Sequence, residues 1–72
     1  MTTRTEIKPA IARSISHDEI VLLLVDDATD ALSTIDNDEN VSELDWANEN
    51  NGDIDVWGTS HDGEFRLLIR SA

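Results

Sequence analysis

A chain of 72 residues with sixteen Asp and Glu against five Lys and Arg carries a formal charge of −11 at neutral pH, and a chain this short hides only about 60% of its unfolded surface. Both facts count against a deep catalytic cleft, and the charge counts against direct binding to nucleic acid, whose phosphates need cationic partners. The absence of cysteine excludes a disulfide framework and a thiolate metal site, leaving two tryptophans, one phenylalanine and the aliphatic side chains to build the core.

The charge is segregated. Positions 14–65 hold fifteen carboxylates and no Lys or Arg, whereas Arg4, Lys8, Arg13, Arg66 and Arg70 lie toward the two ends. Self-repulsion on this scale opposes compaction, so the acid calls for a cationic partner or an adaptation to solvent. The longest apolar run, at 20–25, is too short to cross a bilayer. Arg4, Glu6, Lys8 and Arg13 interrupt any stretch resembling a secretion signal. The expectation is one small cytoplasmic domain over 1–72, frayed at 1–5, with no membrane segment.

In chain order, 6–15 reads as irregular structure or an edge strand, with Pro9 between two short apolar patches. Ser16 and Glu19 have capping-box spacing ahead of an apolar run. Ile20, Leu24, Ala28, Ala31, Leu32 and Ile35 then recur at steps of three and four, which predicts one main helix over about 17–35. The competing reading takes 19–25 as a buried strand, because a short continuous apolar run does not separate the two by period. In that reading the stretch IVLLLVDDATDAL resembles the first strand of response-regulator receiver domains. The resemblance implies a magnesium-binding role for Asp26 and Asp27, but it covers about a dozen residues, and no later segment supplies the rest of such a site. On the helical reading Asp26, Asp27 and Asp30 form a solvated acidic face.

Positions 36–40 (DNDEN) read as the loop after the helix. Asp36, Asp38 and Asn40 alternate like the opening of a calcium loop, yet Val41 stands where that loop needs glycine and Ala47 where it needs a bidentate glutamate. Further on, Asp62-Gly63 between alternating apolar segments predicts a hairpin. Pairing about that turn sets Val56 opposite Ile69, Trp57 opposite Leu68, and Asp55 opposite Arg70. A second turn falls at Asn50-Asn51-Gly52. A two-residue Asn51-Gly52 turn sends Asp45 and Glu49 into the core, whereas a three-residue loop sends Leu44 and Trp46 inward beside Val56; burial of unpaired carboxylates is the costlier outcome. The prediction is therefore an α+β fold, one main helix on a three-stranded antiparallel meander (about 42–49, 53–59 and 64–70). A short helix capped by Asn40 and Glu43 is the alternative for 41–48.

On this meander Glu43, Asp45, Glu49, Asp53 and Asp55 surround Trp57 and Leu68 on the solvent face. Acids two apart on a strand lie about 6.8 Å apart, a spacing comparable with successive phosphates, and an aromatic within such a field suits an interface anchor. The bland alternative is that Trp57 simply packs on Leu68 and the stems of Arg66 and Arg70. His17 and His61 sit at a helix start and beside a turn, with no nucleophile or metal-ligand spacing near them, and there is no phosphate-cradling glycine loop. The functional expectation is a non-enzymatic, cofactor-free inhibitor or adaptor that docks on a basic, nucleic-acid-binding protein surface as a nucleic-acid mimic. The second-choice contact set is Asp26, Asp27 and Asp30. In size and charge the chain resembles phage-encoded anti-CRISPR and anti-restriction proteins. The alternatives are a small halophile-adapted domain, a homo-oligomer with Leu22, Val25 and Leu68 at the seam of a homodimer, and a module that binds magnesium or calcium.

Overall fold

The computed structural model describes residues 6–71; the fraying expected at 1–5 lies outside them. Two helices and four strands follow in the order α1 (Ile7–His17), β1 (Ile20–Val25), α2 (Ala28–Asp36), β2 (Val41–Asn48), β3 (Ile54–Ser60) and β4 (Gly63–Ser71). The strands form one mixed sheet in the order β1-β4-β3-β2, with β1 parallel to β4 and the other two pairings antiparallel. The α+β class and the three-strand meander are therefore present, but the single long helix is not.

In place of that helix there are two helices and a strand. Helix α1 occupies the segment expected to be irregular. Pro9 is the third residue of its first turn, where a missing N–H breaks no intrahelical bond. Ile7, Ala10, Ile11, Ser14 and Ile15 share a helical face that packs on the core. The helix stops at Asp18, which adopts the left-handed conformation (φ 51°) and returns its N–H to the Ser14 carbonyl, so Ser16 and Glu19 form no capping box. Six apolar residues then run as strand β1, and the acidic pair after it starts the next helix. The Asp27 side chain accepts hydrogen bonds from the N–H groups of Thr29 (3.0 Å) and Asp30 (3.3 Å), which fills the N-cap role.

All the buried apolar side chains lie between the sheet and the two helices. Ala10 and Ile11 come from α1, Val21 and Leu23 from β1, Ala28, Ala31 and Ile35 from α2, and Ile54, Val56, Phe65, Leu67 and Ile69 from β3 and β4. The buried Ser14 hydroxyl ties these layers together. It accepts from the Arg66 N–H (2.8 Å) and donates to the Glu19 carbonyl (2.7 Å), linking α1 to the start of β1 and the middle of β4. Leu44 is only partly buried. Trp46 pairs with Val56 on the helix side as expected, yet stays 45% exposed because β2 is the sheet edge far from α1.

Turn chemistry decides the strand registers. Asn50, Asn51 and Gly52 form the three-residue loop: Glu49 N–H donates to the Asp53 carbonyl (2.8 Å), and Gly52 takes φ 93°, a conformation that favours glycine. The other hairpin turns one residue earlier than Asp62-Gly63 predicts. Ser60 pairs with Gly63 across His61 and Asp62, with the Ser60 hydroxyl accepting from the Asp62 N–H (3.2 Å). Moving the turn by one residue slides every pair by two, so faces are kept while partners change. Val56 lies opposite Leu67, Trp57 opposite Arg66 and Asp55 opposite Leu68.

Gly58 shows how tightly the inner face is packed. A Cβ there would stand 2.6 Å from the Glu43 carbonyl oxygen and 2.8 Å from Cζ of Phe65. One of these contacts is backbone, so relief requires β2 to move. Gly58→Ala should lower unfolding free energy by about 1–3 kcal/mol, the usual range for overpacking. Urea unfolding followed by tryptophan fluorescence checks this, and an unchanged midpoint would show that β2 yields freely.

The candidate functional site, an open sheet face

With both helices on one side, the other face of the sheet is uncovered among the described residues. Strand alternation places there Ile20, Leu22 and Leu24 from β1, Glu64, Arg66, Leu68 and Arg70 from β4, Asp55, Trp57 and Thr59 from β3, and Glu43, Asp45 and Ala47 from β2. Glu49 continues the β2 row. The face is graded, from aliphatic at the β1 edge to acidic at the β2 edge.

Of the sequence-derived contact set, Glu43, Asp45 and Glu49 are exposed, Asp55 and Leu68 are half-buried, and Trp57 is 38% exposed. Asp45 lies directly across from Trp57. A shallow groove runs past Trp57, lined by Glu43, Asp45, Asp55 and Glu64 together with Arg66, which lies directly across from Trp57 on β4. Glu64, absent from the sequence-derived set, enters the site because Thr59 pairs with it and with Glu43 on either side.

Asp53 departs from expectation. Its side chain is buried, and Arg70 grips it with Nη2 2.9 Å from Oδ2 and Nε 3.2 Å from both carboxylate oxygens. This is the cross-strand pair expected of Asp55, transferred to Asp53 by the shifted turn. Asn51 adds a hydrogen bond from its side-chain amide (3.3 Å) and accepts from the Asp53 N–H (3.1 Å). The Arg70 hydrogen bonds hold the Asp53 carboxyl below its ordinary value of 3.8, outweighing the opposing effect of burial. Asp53 therefore belongs to the framework of the sheet and offers no free charge to a partner.

A depressed folded-state pKa contributes stability that is complete above the unfolded value and lost as pH falls through the folded one. Asp53→Asn should therefore be less stable than the parent at neutral pH. The gap should close as pH drops below about 3.8, the ordinary aspartate value. Thermal unfolding of both proteins across acid pH tests this, and a gap constant to the lowest pH would remove the ion pair as its cause.

The second-choice acids do converge. Asp26, Asp27 and Asp30 line a shallow groove between the starts of α1 and α2, beside Ile7 and Lys8. Asp27 is occupied there as a helix cap. The segment has the strand–acid pair–helix layout behind the receiver resemblance, but β1 sits at the edge of a sheet whose remaining strands are antiparallel to one another. The calcium-loop reading needs about 12 residues wrapped around an ion, whereas Val41–Asn48 is an extended strand. Among the described residues, no three His, Asp or Glu side chains are grouped so as to hold a metal ion. No helix among them is long and apolar enough to cross a membrane.

Ile20 and Leu22 are 51% and 45% exposed; the helical reading turned Ile20 toward the core and so missed it, and it placed Leu22 on the surface only as a residue of a homodimer seam. Their signal lay in the length of the apolar run: six residues bounded by acids suits a strand better than a helix. Compared with protein-family models, curated proteins and solved structures, the chain has no significant match to any.

Proposed function

We propose that the protein is a non-enzymatic binding protein whose open sheet face docks on a basic protein surface, of the kind that otherwise holds nucleic acid. The observation that carries this reading is the gathering of four carboxylates, Glu43, Asp45, Asp55 and Glu64, against the single cation Arg66 around the exposed ring of Trp57. Rows of carboxylates about 6.8 Å apart along a strand can take the place of phosphates against Lys and Arg. An exposed tryptophan inside that field supplies the desolvated anchor typical of interface hot spots. A nucleic-acid mimic of the anti-CRISPR or anti-restriction type fits this description, acting in the cytoplasm, where such partners work.

The test is capture of a partner from the cells the protein comes from, with nucleic acid added as competitor. Displacement by nucleic acid and loss of capture with rising salt are the expected results. Capture insensitive to both would defeat the reading. The halophile alternative is separated by folding at low salt: an acid coat that serves only as adaptation to molar salt leaves the chain unfolded without it.

A further inference from the structure

The sheet register arranges the open face into rows. From β1 across to β2, one row reads Ile20, Arg66, Trp57, Asp45, and the next reads Leu22, Leu68, Asp55, Ala47. Arg70, in the third row beside Leu24, has its charge matched by Asp53. Ile20, Leu22 and Leu68 thus lie side by side with Trp57 diagonal to Leu68, Arg66 stands between Ile20 and Trp57, and the carboxylates of Glu43 and Asp45, which form no ion pair among the described residues, run along the β2 side. Charge attraction alone explains the acid but gives no reason for Ile20 and Leu22 on β1 and Trp57 on β3 to stand in water.

The geometry points to an amphipathic, cationic helix of a partner protein as the occupant of this face, a step that rests on the proposed function. Its apolar stripe covers Ile20, Leu22, Leu68 and Trp57, and the Lys and Arg on its flank reach Glu43, Asp45 and Glu49. The dimensions agree. A helix about 10–12 Å across covers three strands spaced about 4.8 Å apart, leaving the fourth to meet its flank. The same sheet already accepts α1 and α2 in this manner on its other side, over alternating Val, Leu and Ile. A second copy of the chain fits poorly. Face-to-face pairing sets β2 either on β1, carboxylate on leucine, or on another β2, carboxylate on carboxylate, with −11 on each copy.

Two synthetic helical peptides of identical leucine and lysine composition test this. In one the leucines form a single stripe; in the other they are scattered around the helix. Each is titrated into isotopically labelled protein at low salt while amide shifts are followed. The striped peptide should bind at least about tenfold more tightly, a factor that burial of one aliphatic side chain supplies, and should shift β1, β4 and Trp57. The double variant Leu22→Ser, Ile20→Ser should erase that advantage and keep the weaker charge-driven binding. Equal affinities, with shifts confined to β2 and β3, would overturn the helix and leave the cationic partner standing. Failure of both peptides to bind would take the cationic reading down as well. New exchange protection of the β1 amides would indicate strand addition at the edge, and a dimer split by Leu22→Ser would indicate a second copy. Either result overturns the inference.

Discussion

Phe65→Ala should unfold most of the protein at ambient temperature. Phe65 is the largest fully buried side chain, and it reaches Gly58 across β3, so its ring fills the space between the meander and the helices. Truncating a buried phenylalanine costs about 3–5 kcal/mol. A domain of this length has a total stability of roughly 4–11 kcal/mol by the usual per-residue range, and the self-repulsion of its acids argues for the lower part. Urea unfolding should show a collapsed or absent native baseline for the variant. Ile20→Ala is the matching control: that side chain is half in water on the open face, so its loss should cost less than about 1 kcal/mol. The pair also separates the two readings of the N-terminal half, because a helix over 17–35 turns Ile20 toward the core. A large loss for Ile20→Ala, or none for Phe65→Ala, would overturn the core described above.

The C-terminal half was legible in the sequence because period-two alternation and Gly-containing turns act locally. Ile54, Val56, Phe65, Leu67 and Ile69 fall on the buried face in both the predicted and the observed registers, since a slip of two residues preserves the face. Partners were less secure. Whether Asp53 or Asp55 meets Arg70 depends on the Ser60 hydroxyl drawing the turn forward to His61-Asp62, a side-chain effect that Asp-Gly statistics do not contain. The N-terminal half was misread where local signals conflict with tertiary ones. Ile20 to Ile35 satisfies a helical period by coincidence, as apolar positions from a strand and from the helix after it happen to keep steps of three and four. What separates them is the left-handed turn at Asp18 and the Asp27 cap, together with the parallel pairing of β1 to a strand more than forty residues away. Pairing over that distance leaves no periodic trace. The acidic part of the site was legible because β2 lies in the readable half; of its apolar part, Leu22 was legible as a surface residue but Ile20 was hidden with β1.

The surface experiment with the largest expected effect is reversal of Glu43, Asp45 and Glu49 together to lysine. Asp53 is unsuitable for it, because a lysine there would face Arg70 from a buried position and test folding instead of binding. Glu43 and Asp45 on the edge strand β2, and Glu49 one residue past its end, are all exposed, so the fold should survive their exchange, with a melting transition close to that of the parent. Glu43 and Asp45 stand about 6.8 Å apart along one face, within the screening length of about 8 Å at physiological salt, while Glu49 lies about 14 Å beyond Asp45. The fields of Glu43 and Asp45 therefore add, Glu49 extends the charge toward the end of the strand, and reversal should turn attraction into repulsion along the edge. Association with a basic partner should slow by about 10–10³-fold, and capture should be lost at salt concentrations where the parent still binds. Trp57→Ala should act on the other rate, raising dissociation while leaving association nearly as before, as loss of a packed anchor does. The two variants thus divide the interface into a steering part and a holding part. If the triple reversal binds with undiminished affinity, the β2 edge is only a solvated surface, and the groove holding Asp26 and Asp30 between the two helices becomes the surface to reverse next.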